Sequence, residues 1–378
     1  MESNTQFQQK ISDDFAAWAR ESVGSRADRQ HSLREFDIES WRYLSERGIW
    51  RIAVPAELGG ENNTWWDFIA AFQGVARGGR DLGFCLSMVA QAGLIRALVR
   101  QGTPEQQKTW LPGLLNGQVS SMALTEESGG SDISKMAVTT GPHDALLSGT
   151  KVHITNAPVA DVILVLGRSG DLEPKANATL FMVDASDPRL LRGPAETMLG
   201  NHTSPTGRLD FDGVPIAPVN VLGEPGNGLH LIHEIIAFDR LLYGMLATAY
   251  LDPLIDDLLN FVHERRAFHA VLADHQYVQG RITDIKFAVE STRGISRSAM
   301  EAVMSGSADA SLLCSIAKYQ AAESLRTGTE NALRIFGHSG YEEGWVSRSV
   351  RDALGAVIAG GTAEMQKKNA FTQMVALR

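Results

Sequence analysis

A chain of 378 residues is long enough for two or three domains with a large buried core. Its 44% hydrophobic and 21% charged residues are those of an ordinary soluble globular protein. A formal charge of −9 and a pI near 5.6 argue against nucleic acid or an anionic membrane as the main partner.

Met1-Glu2-Ser3-Asn4 opens a polar, acidic segment without an apolar signal core. No later run offers the ~18 apolar residues of a membrane span, so a cytoplasmic location is expected. Cys85 and Cys314 lie far apart in apolar runs. That pattern predicts buried, inert thiols rather than a disulfide framework or a cysteine zinc site.

From Phe7 to about Arg20 apolar residues recur at helical steps, and a second helix is expected over Ile38 to Arg47. A turn marked by Pro55 and Gly59-Gly60 follows, after which Trp66, Ile69 and Gln73 resume helical spacing. Two further helices fit Leu82 to Arg100 and, with proline at an early position, Pro104 to Leu115. Residues 1 to 118 therefore read as a helical domain.

The stretch Ser120-Ser121-Met122-Ala123-Leu124-Thr125-Glu126-Glu127-Ser128-Gly129-Gly130-Ser131-Asp132 follows, where the period changes. Gly129 and Gly130 permit φ > 0 and a close ligand approach, while Thr125, Ser128 and Ser131 offer hydroxyls. Short β-branched runs come next: 145–149, 152–155, 162–166 and 179–183, each bounded by Gly, Pro or Asp. With no long helical pattern between them, an antiparallel barrel or sandwich is expected over 119–229. Segments 210–215 and 223–228 read as its closing turns.

Residues 230–378 return to helix. Leu254, Ile255, Leu258 and Val262 mark one face, Ile282, Ile285 and Val289 another, and Leu312, Ile316, Tyr319 and Leu333 a third, with a last helix over roughly 347–375. That is a four-helix bundle with short loops. A Walker loop, a strand-anchored G-x-G-x-x-G, paired cysteines and His-Glu-x-x-His are all missing, and Gly337-His338-Ser339-Gly340-Tyr341 lacks the final glycine of a nucleophile elbow.

The order of these parts resembles the acyl-CoA dehydrogenase flavoproteins over nearly the whole chain. The matching segments are Val54-Pro55 with Gly59-Gly60, Ala123 to Glu126 with Gly129 to Asp132, Ile154 to Ala157, Phe211 to Pro215, Glu264-Arg265 with Phe268 and Gln276, Phe336-Gly337 with Gly340-Tyr341, Arg351-Asp352, and Gly361-Thr362 with Gln366. The resemblance implies an α+β multidomain fold with an N-terminal helical domain, a middle antiparallel β domain and a C-terminal four-helix bundle. It also implies FAD, an acyl thioester substrate on CoA or an acyl carrier protein, and a homo-oligomer, tetramer or dimer. It names no electron acceptor, and it implies neither a metal, nucleic acid nor a membrane.

Position by position, the resemblance puts Leu124, Thr125, Gly130 and Ser131 along the flavin and its pyrophosphate, Thr155 on the ring system, and Ser131 and Arg240 on the substrate. It assigns Arg265, Phe268, Gln276 and Gly337 to a dinucleotide held across a subunit interface, with Thr362 and Glu364 meeting it near the last helix. An arginine fork suits a pyrophosphate. Some positions depart from the pattern: Glu127 stands where proline is usual, and His153 replaces a tryptophan near the flavin.

The largest departure concerns the base. Most members carry a catalytic glutamate directly before the Gly-Thr pair near the C-terminus, and here Gly360 stands there. Its N–H remains to polarise a thioester carbonyl. A minority, isovaleryl-type and long-chain enzymes, carry the base on the first bundle helix before an arginine, and that pair reads Asp239-Arg240. Arg265 follows Arg240 by 25 residues and Gly360 follows Arg265 by 95, which reproduces the family's spacing. The resemblance thus implies Asp239 as acceptor of the substrate α-proton in an α,β-dehydrogenation. Aspartate is one carbon shorter than glutamate, roughly 1.3 to 1.5 Å of reach. Two alternatives share the fold: a flavin monooxygenase, which needs no such base, and a non-catalytic flavoprotein subunit.

Overall fold

The computed structural model describes residues 2–141, 145–173 and 176–378. Six helices come first: α1 (Glu2–Ala19), α2 (Ser25–Leu33), α3 (Ile38–Glu46), α4 (Trp65–Gly79), α5 (Leu82–Gln101) and α6 (Pro104–Leu115). Their starts follow from capping chemistry. Asp37, Thr64, Asp81 and Thr103 each accept a backbone N–H of the first turn, and Pro104 fills a position whose N–H would be an orphan anyway.

α5 is 20 residues long and apolar enough in composition to cross a bilayer, which the sequence reading had not expected of any run. Here it is the central core helix, buried from Leu82 to Leu98 apart from Leu86. α2, also unforeseen, continues α1 through a π-helical turn at Arg20–Gly24.

The middle segment forms one sheet of β1 (Ser120–Ala123), β2 (Thr139–Thr140), β3 (Leu146–Thr155), β4 (Val162–Arg168), β5 (Ala178–Asp184), β6 (Leu190–Arg192), β7 (Thr206–Pro215) and β8 (Val221–Leu222). Its order is β6-β7-β3-β2-β4-β5-β8, with β1 beside β4. Most pairings are antiparallel, as expected, but β4 runs parallel to both β1 and β2. Ile163, Val165, Phe181, Val183, Leu209 and Phe211 point into the sheet's own core, while Val162, Leu164, Leu166, Leu180 and Met182 join the helical core. Burial on both faces is why β4 reads as an unbroken apolar run rather than an alternating one.

Two expectations fail within this sheet. The runs at 145–149 and 152–155 are one strand, because Gly149 and the register shifts near it bulge β3 without ending it. Segment 210–215, read as a turn, is the second half of β7, which alternates buried Leu209, Phe211 and Val214 against β3.

The C-terminal segment begins with the 37-residue α7 (Gly228–Glu264). A ribbon of β9 (Arg266–Ala267) and β10 (Ala270–Val271) leads into α8 (Gln276–Ser305), α9 (Ala310–Phe336), the short α10 (His338–Tyr341), α11 (Trp345–Ala356) and α12 (Ala363–Ala376). The single last helix expected over 347–375 is therefore two helices. Gly360 and Gly361, at φ +70° and +92°, break it in a conformation that L side chains resist. Cys85 and Cys314 are buried free thiols, as expected.

Candidate active site

Asp239 sits in the first half of α7, 6% exposed, beside Arg240. Its Oδ1 has no hydrogen-bond partner among the described residues. What makes room for it is Gly93 on α5, where a β-carbon would fall 2.4 Å from Oδ1. Burial drives the Asp239 carboxyl well above the usual carboxylate range, and the charges of Arg240 and Arg96 only partly offset this. Arg96, also buried, stacks its guanidinium 4.7 Å from the ring centroid of Phe238.

One helical turn after Asp239 stands Tyr243, fully packed, its phenol raised by burial and by Asp239. Tyr243 meets the link between α11 and α12: a β-carbon on Gly360 would lie 3.0 Å from Cε2 of that ring. Asp239 and Gly360 thus border one tyrosine. The Gly360 N–H makes no hydrogen bond to the protein among the described residues, while the Gly360 and Gly361 carbonyls accept from Gln366 Nε2 at 3.1 and 2.9 Å. Thr362 caps α12 by accepting the Met365 N–H, and Glu364 is exposed in that helix's first turn.

The loop after β1 is organised from beneath by a buried ion pair that the sequence reading missed. Lys151 on β3 donates to the Leu124 carbonyl at 3.0 Å and to Glu126 Oε1 at 2.8 Å. Glu126 also accepts the Ala137 and Val138 amides, so both ends of the loop are tied to one carboxylate. Burial alone would raise Glu126, yet these bonds hold its pKa below the ordinary value. Leu124 and Thr125 are half-buried, and Gly130 and Ser131 are exposed. Neither Gly129 nor Gly130 adopts positive φ, and a β-carbon there would only touch the Asp132 carbonyl oxygen at 3.5 Å or Thr125 Cγ2 at 3.6 Å, so this backbone does not require the left-handed turn that glycine permits.

Thr155 ends β3, half-buried, its carbonyl accepting the Ser121 hydroxyl at 2.6 Å. Asn156 next to it donates to the Ser120 carbonyl at 3.0 Å. His153 points outward at φ +57°, with Nδ1 3.0 Å from Glu196.

Arg265, Phe268, Gln276 and Gly337 gather elsewhere. α7, α8 and α9 run antiparallel in turn, so the end of α7, the start of α8 and the end of α9 share one end of the bundle. Phe268 is 90% exposed at the tip of the β9–β10 ribbon, where Phe268 and His269 both take positive φ. Arg265 is exposed and, among the described residues, makes no side-chain bond. Twenty-six residues separate Arg265 from Asp239, roughly 39 Å of helix at 1.5 Å per residue. Within one chain these groups cannot meet the same part of a ligand.

Two residues shape the 360 link: Gln366, which the motif match included without a role, and Lys318 on α9, which it did not include and whose Nζ donates to the carbonyls of Ala356 and Gly361, both at 2.8 Å. Cys314, Lys318, Ala321 and Leu325 recur at steps of four and three on the buried face of α9. A lysine in that phase was the available signal.

Residues 5–118, 121–214 and 226–374 match in turn the N-terminal, middle and C-terminal domains of acyl-CoA dehydrogenases. The chain belongs to the acyl-CoA dehydrogenase family. A 2-methylacyl-CoA dehydrogenase from Solanum tuberosum is 25% identical over 366 residues, 95% of this chain and 88% of that protein. The short-chain specific acyl-CoA dehydrogenase of Sus scrofa is 29% identical over 360 residues, 94% of this chain and 86% of that one. Among solved structures, the prolyl acyl carrier protein oxidase AnaB superposes with a TM-score of 0.91 at 24% identity, covering 99% of each chain.

Proposed function

We propose that this chain is an FAD-dependent dehydrogenase that introduces an α,β double bond into an acyl thioester, with Asp239 as the α-proton acceptor. The observation that carries the reading is a buried carboxyl whose Oδ1 has no hydrogen-bond partner among the described residues, in a niche that exists only because α5 has glycine at 93. Such a group has its affinity for a proton raised and no competing bond to break, which suits a general base.

The residues present fit the dinucleotide. An exposed Arg265, without a side-chain partner among the described residues, offers a fork for pyrophosphate, a β-carbon on Gly337 would meet nothing within 4 Å, and Phe268 presents an open ring. Leu124, Thr125, Gly130, Ser131 and Thr155 form the second half of that cradle. Because Arg265 lies roughly 39 Å along α7 from Asp239, the two halves serve one cofactor only when supplied by different subunits, and the reading therefore includes a homo-oligomer. Exposed Tyr277, Phe287, Phe371 and Met374 supply apolar surface for such contacts. Bound FAD would take up the electron pair and the hydrogen leaving the β-carbon.

This chain's own groups handle the proton and the charge. Asp239 accepts the α-proton from the face that α5 and α7 enclose. As the proton leaves, negative charge gathers on the thioester oxygen, and the Gly360 N–H, unbonded among the described residues, is the donor that would receive it. Arg240, buried beside Asp239, stabilises the carboxylate before transfer. The acyl group arrives on a phosphopantetheine arm, which CoA and carrier proteins share; the plant relative is named for the first and AnaB for the second. Short acyl thioesters added without oxygen are expected to bleach the flavin of the holoprotein, and Asp239→Asn to abolish the bleaching. Equal bleaching by that variant removes Asp239 from the mechanism.

A further inference from the structure

Lys318 is the one lysine besides Lys151 that is wholly enclosed among the described residues, and unlike Lys151 it has no carboxylate within ion-pair reach. It donates to the Ala356 and Gly361 carbonyls, and its charge lies over the Tyr243 ring, 5.5 Å from the centroid. Burial, with Arg240 adding, lowers its pKa to about 8, while Glu364 opposes the shift. An ammonium held this way costs stability, and an apolar side chain of the same volume would fill the space without that cost.

The two carbonyls it holds are informative. Ala356 is the last residue of α11 and Gly361 lies just before the cap of α12, so one cation pins both ends of the link that carries Gly360. Gln366 adds a bond to each of the Gly360 and Gly361 carbonyls from the same helix end. Peptide units are planar and trans, so the held Gly360 and Gly361 carbonyls turn the N–H groups of Gly361 and Thr362 the other way, while the Gly360 N–H, which shares its peptide unit with the Ala359 carbonyl, is fixed through the restrained peptide units on either side of it. Tyr243 lies against the link as well, its Cε2 3.0 Å from where a β-carbon on Gly360 would stand.

We propose that Lys318 is a positioning residue of the active site, clamping the link between α11 and α12 so that its amide edge is presented to the oxygen of an acyl thioester. This rests on the thioester reading above. A buried positive charge beneath the link also favours the negative charge that develops on its other side.

The test uses the holoprotein and the [1-13C]acetyl thioester of pantetheine, which has no β-carbon and cannot be dehydrogenated. In the unaltered protein the bound 13C carbonyl stretch is expected to move to lower frequency than in solution. In Lys318→Met the shift is lost while the dissociation constant stays within about threefold, and kcat on a full substrate falls ~10²-fold, the loss typical of one removed oxyanion donor. Lys318→Arg, which can reach both carbonyls, restores part of the shift. Should Lys318→Met fail to fold, Lys318→Gln carries the same expectation. A shift undiminished in the folded variant overturns the role of Lys318. No shift in the unaltered protein overturns the thioester reading beneath it.

Discussion

Gly93→Ala isolates the contact on which the Asp239 assignment depends. The new β-carbon would stand 2.4 Å from Asp239 Oδ1, 3.3 Å from Cγ and 3.5 Å from Oδ2. Ordinary van der Waals contact begins near 3.4 Å, so the carboxyl must retreat by about 1 Å or α5 and α7 must part. Overpacking of this kind costs roughly 1–3 kcal/mol, whereas replacing a mid-helix glycine by alanine returns about 1 kcal/mol of helix propensity. The net loss of stability is therefore small, of order 1 kcal/mol. Catalysis is far less forgiving, because a ~1 Å displacement of a reacting group can cost ~10²-fold. The variant is expected to fold with a melting temperature a few degrees below the parent and to lose about two orders of magnitude in kcat on a short acyl thioester. Flavin content should stay unchanged, since Gly93 lies on none of the segments assigned to the dinucleotide. Full kcat in a folded Gly93→Ala protein would refute the idea that the carboxyl beside Gly93 performs the chemistry.

Three further outcomes follow from other parts of the molecule. Lys151→Met leaves the buried Glu126 carboxylate of the loop after β1 without its cation and is expected to destabilise the fold by about 3–5 kcal/mol in urea titration; a loss under 1 kcal/mol would mean that the amides of Ala137 and Val138 satisfy Glu126 alone. Burial raises the Asp352 carboxyl to about 7 against its amide bond from Asn201, so the folded state holds that proton more tightly than the unfolded chain, whose value is near 3.8. Stability from this group is present below about pH 4 and lost as pH rises through 7, so Asp352→Asn should flatten the fall in melting temperature over that window, and an unchanged slope would contradict the assignment. Arg265→Ala should weaken FAD retention at least ~10-fold in equilibrium dialysis, the loss of one charge-assisted pairing at ~1.5 kcal/mol or more; full retention would remove Arg265 from the dinucleotide site.

Local chemistry decided which elements were legible from sequence. The span Pro104–Leu115 matches its expectation residue for residue because Thr103 and Pro104 announce its start, and Leu82 announces α5 behind its Asp81 cap. The last helix was misread because the run from Ser347 to Val375 keeps helical spacing, while the break depends on two glycines whose left-handed backbone spacing does not encode. Likewise Gly149 looked like the end of a strand, yet β7 pairs on both sides of it and carries β3 through a bulge.

The site divides the same way. Composition and periodicity alone would have left Asp239 a partner of Arg240 or a helix-turn cap, and only the resemblance in motif order singled it out. Its niche depends on Gly93, distant in sequence and without a side chain to signal it. Lys318 and Lys151 escaped notice because lysine is by default an exposed residue. Both are enclosed here by acceptors, two carbonyls for Lys318 and a carbonyl with the Glu126 carboxylate for Lys151, that come together only once helices and strands are assembled.

The central claim is that Asp239 takes a proton from the carbon next to a thioester, and hydrogen exchange reads this directly. Incubated in D2O with the holoprotein, the acetyl thioester of pantetheine should exchange its methyl protons, followed by proton NMR, faster than in buffer alone. Asp239→Asn, with flavin content and thioester affinity intact, should reduce the exchange to the buffer rate. Exchange that proceeds equally in the asparagine variant would contradict the account.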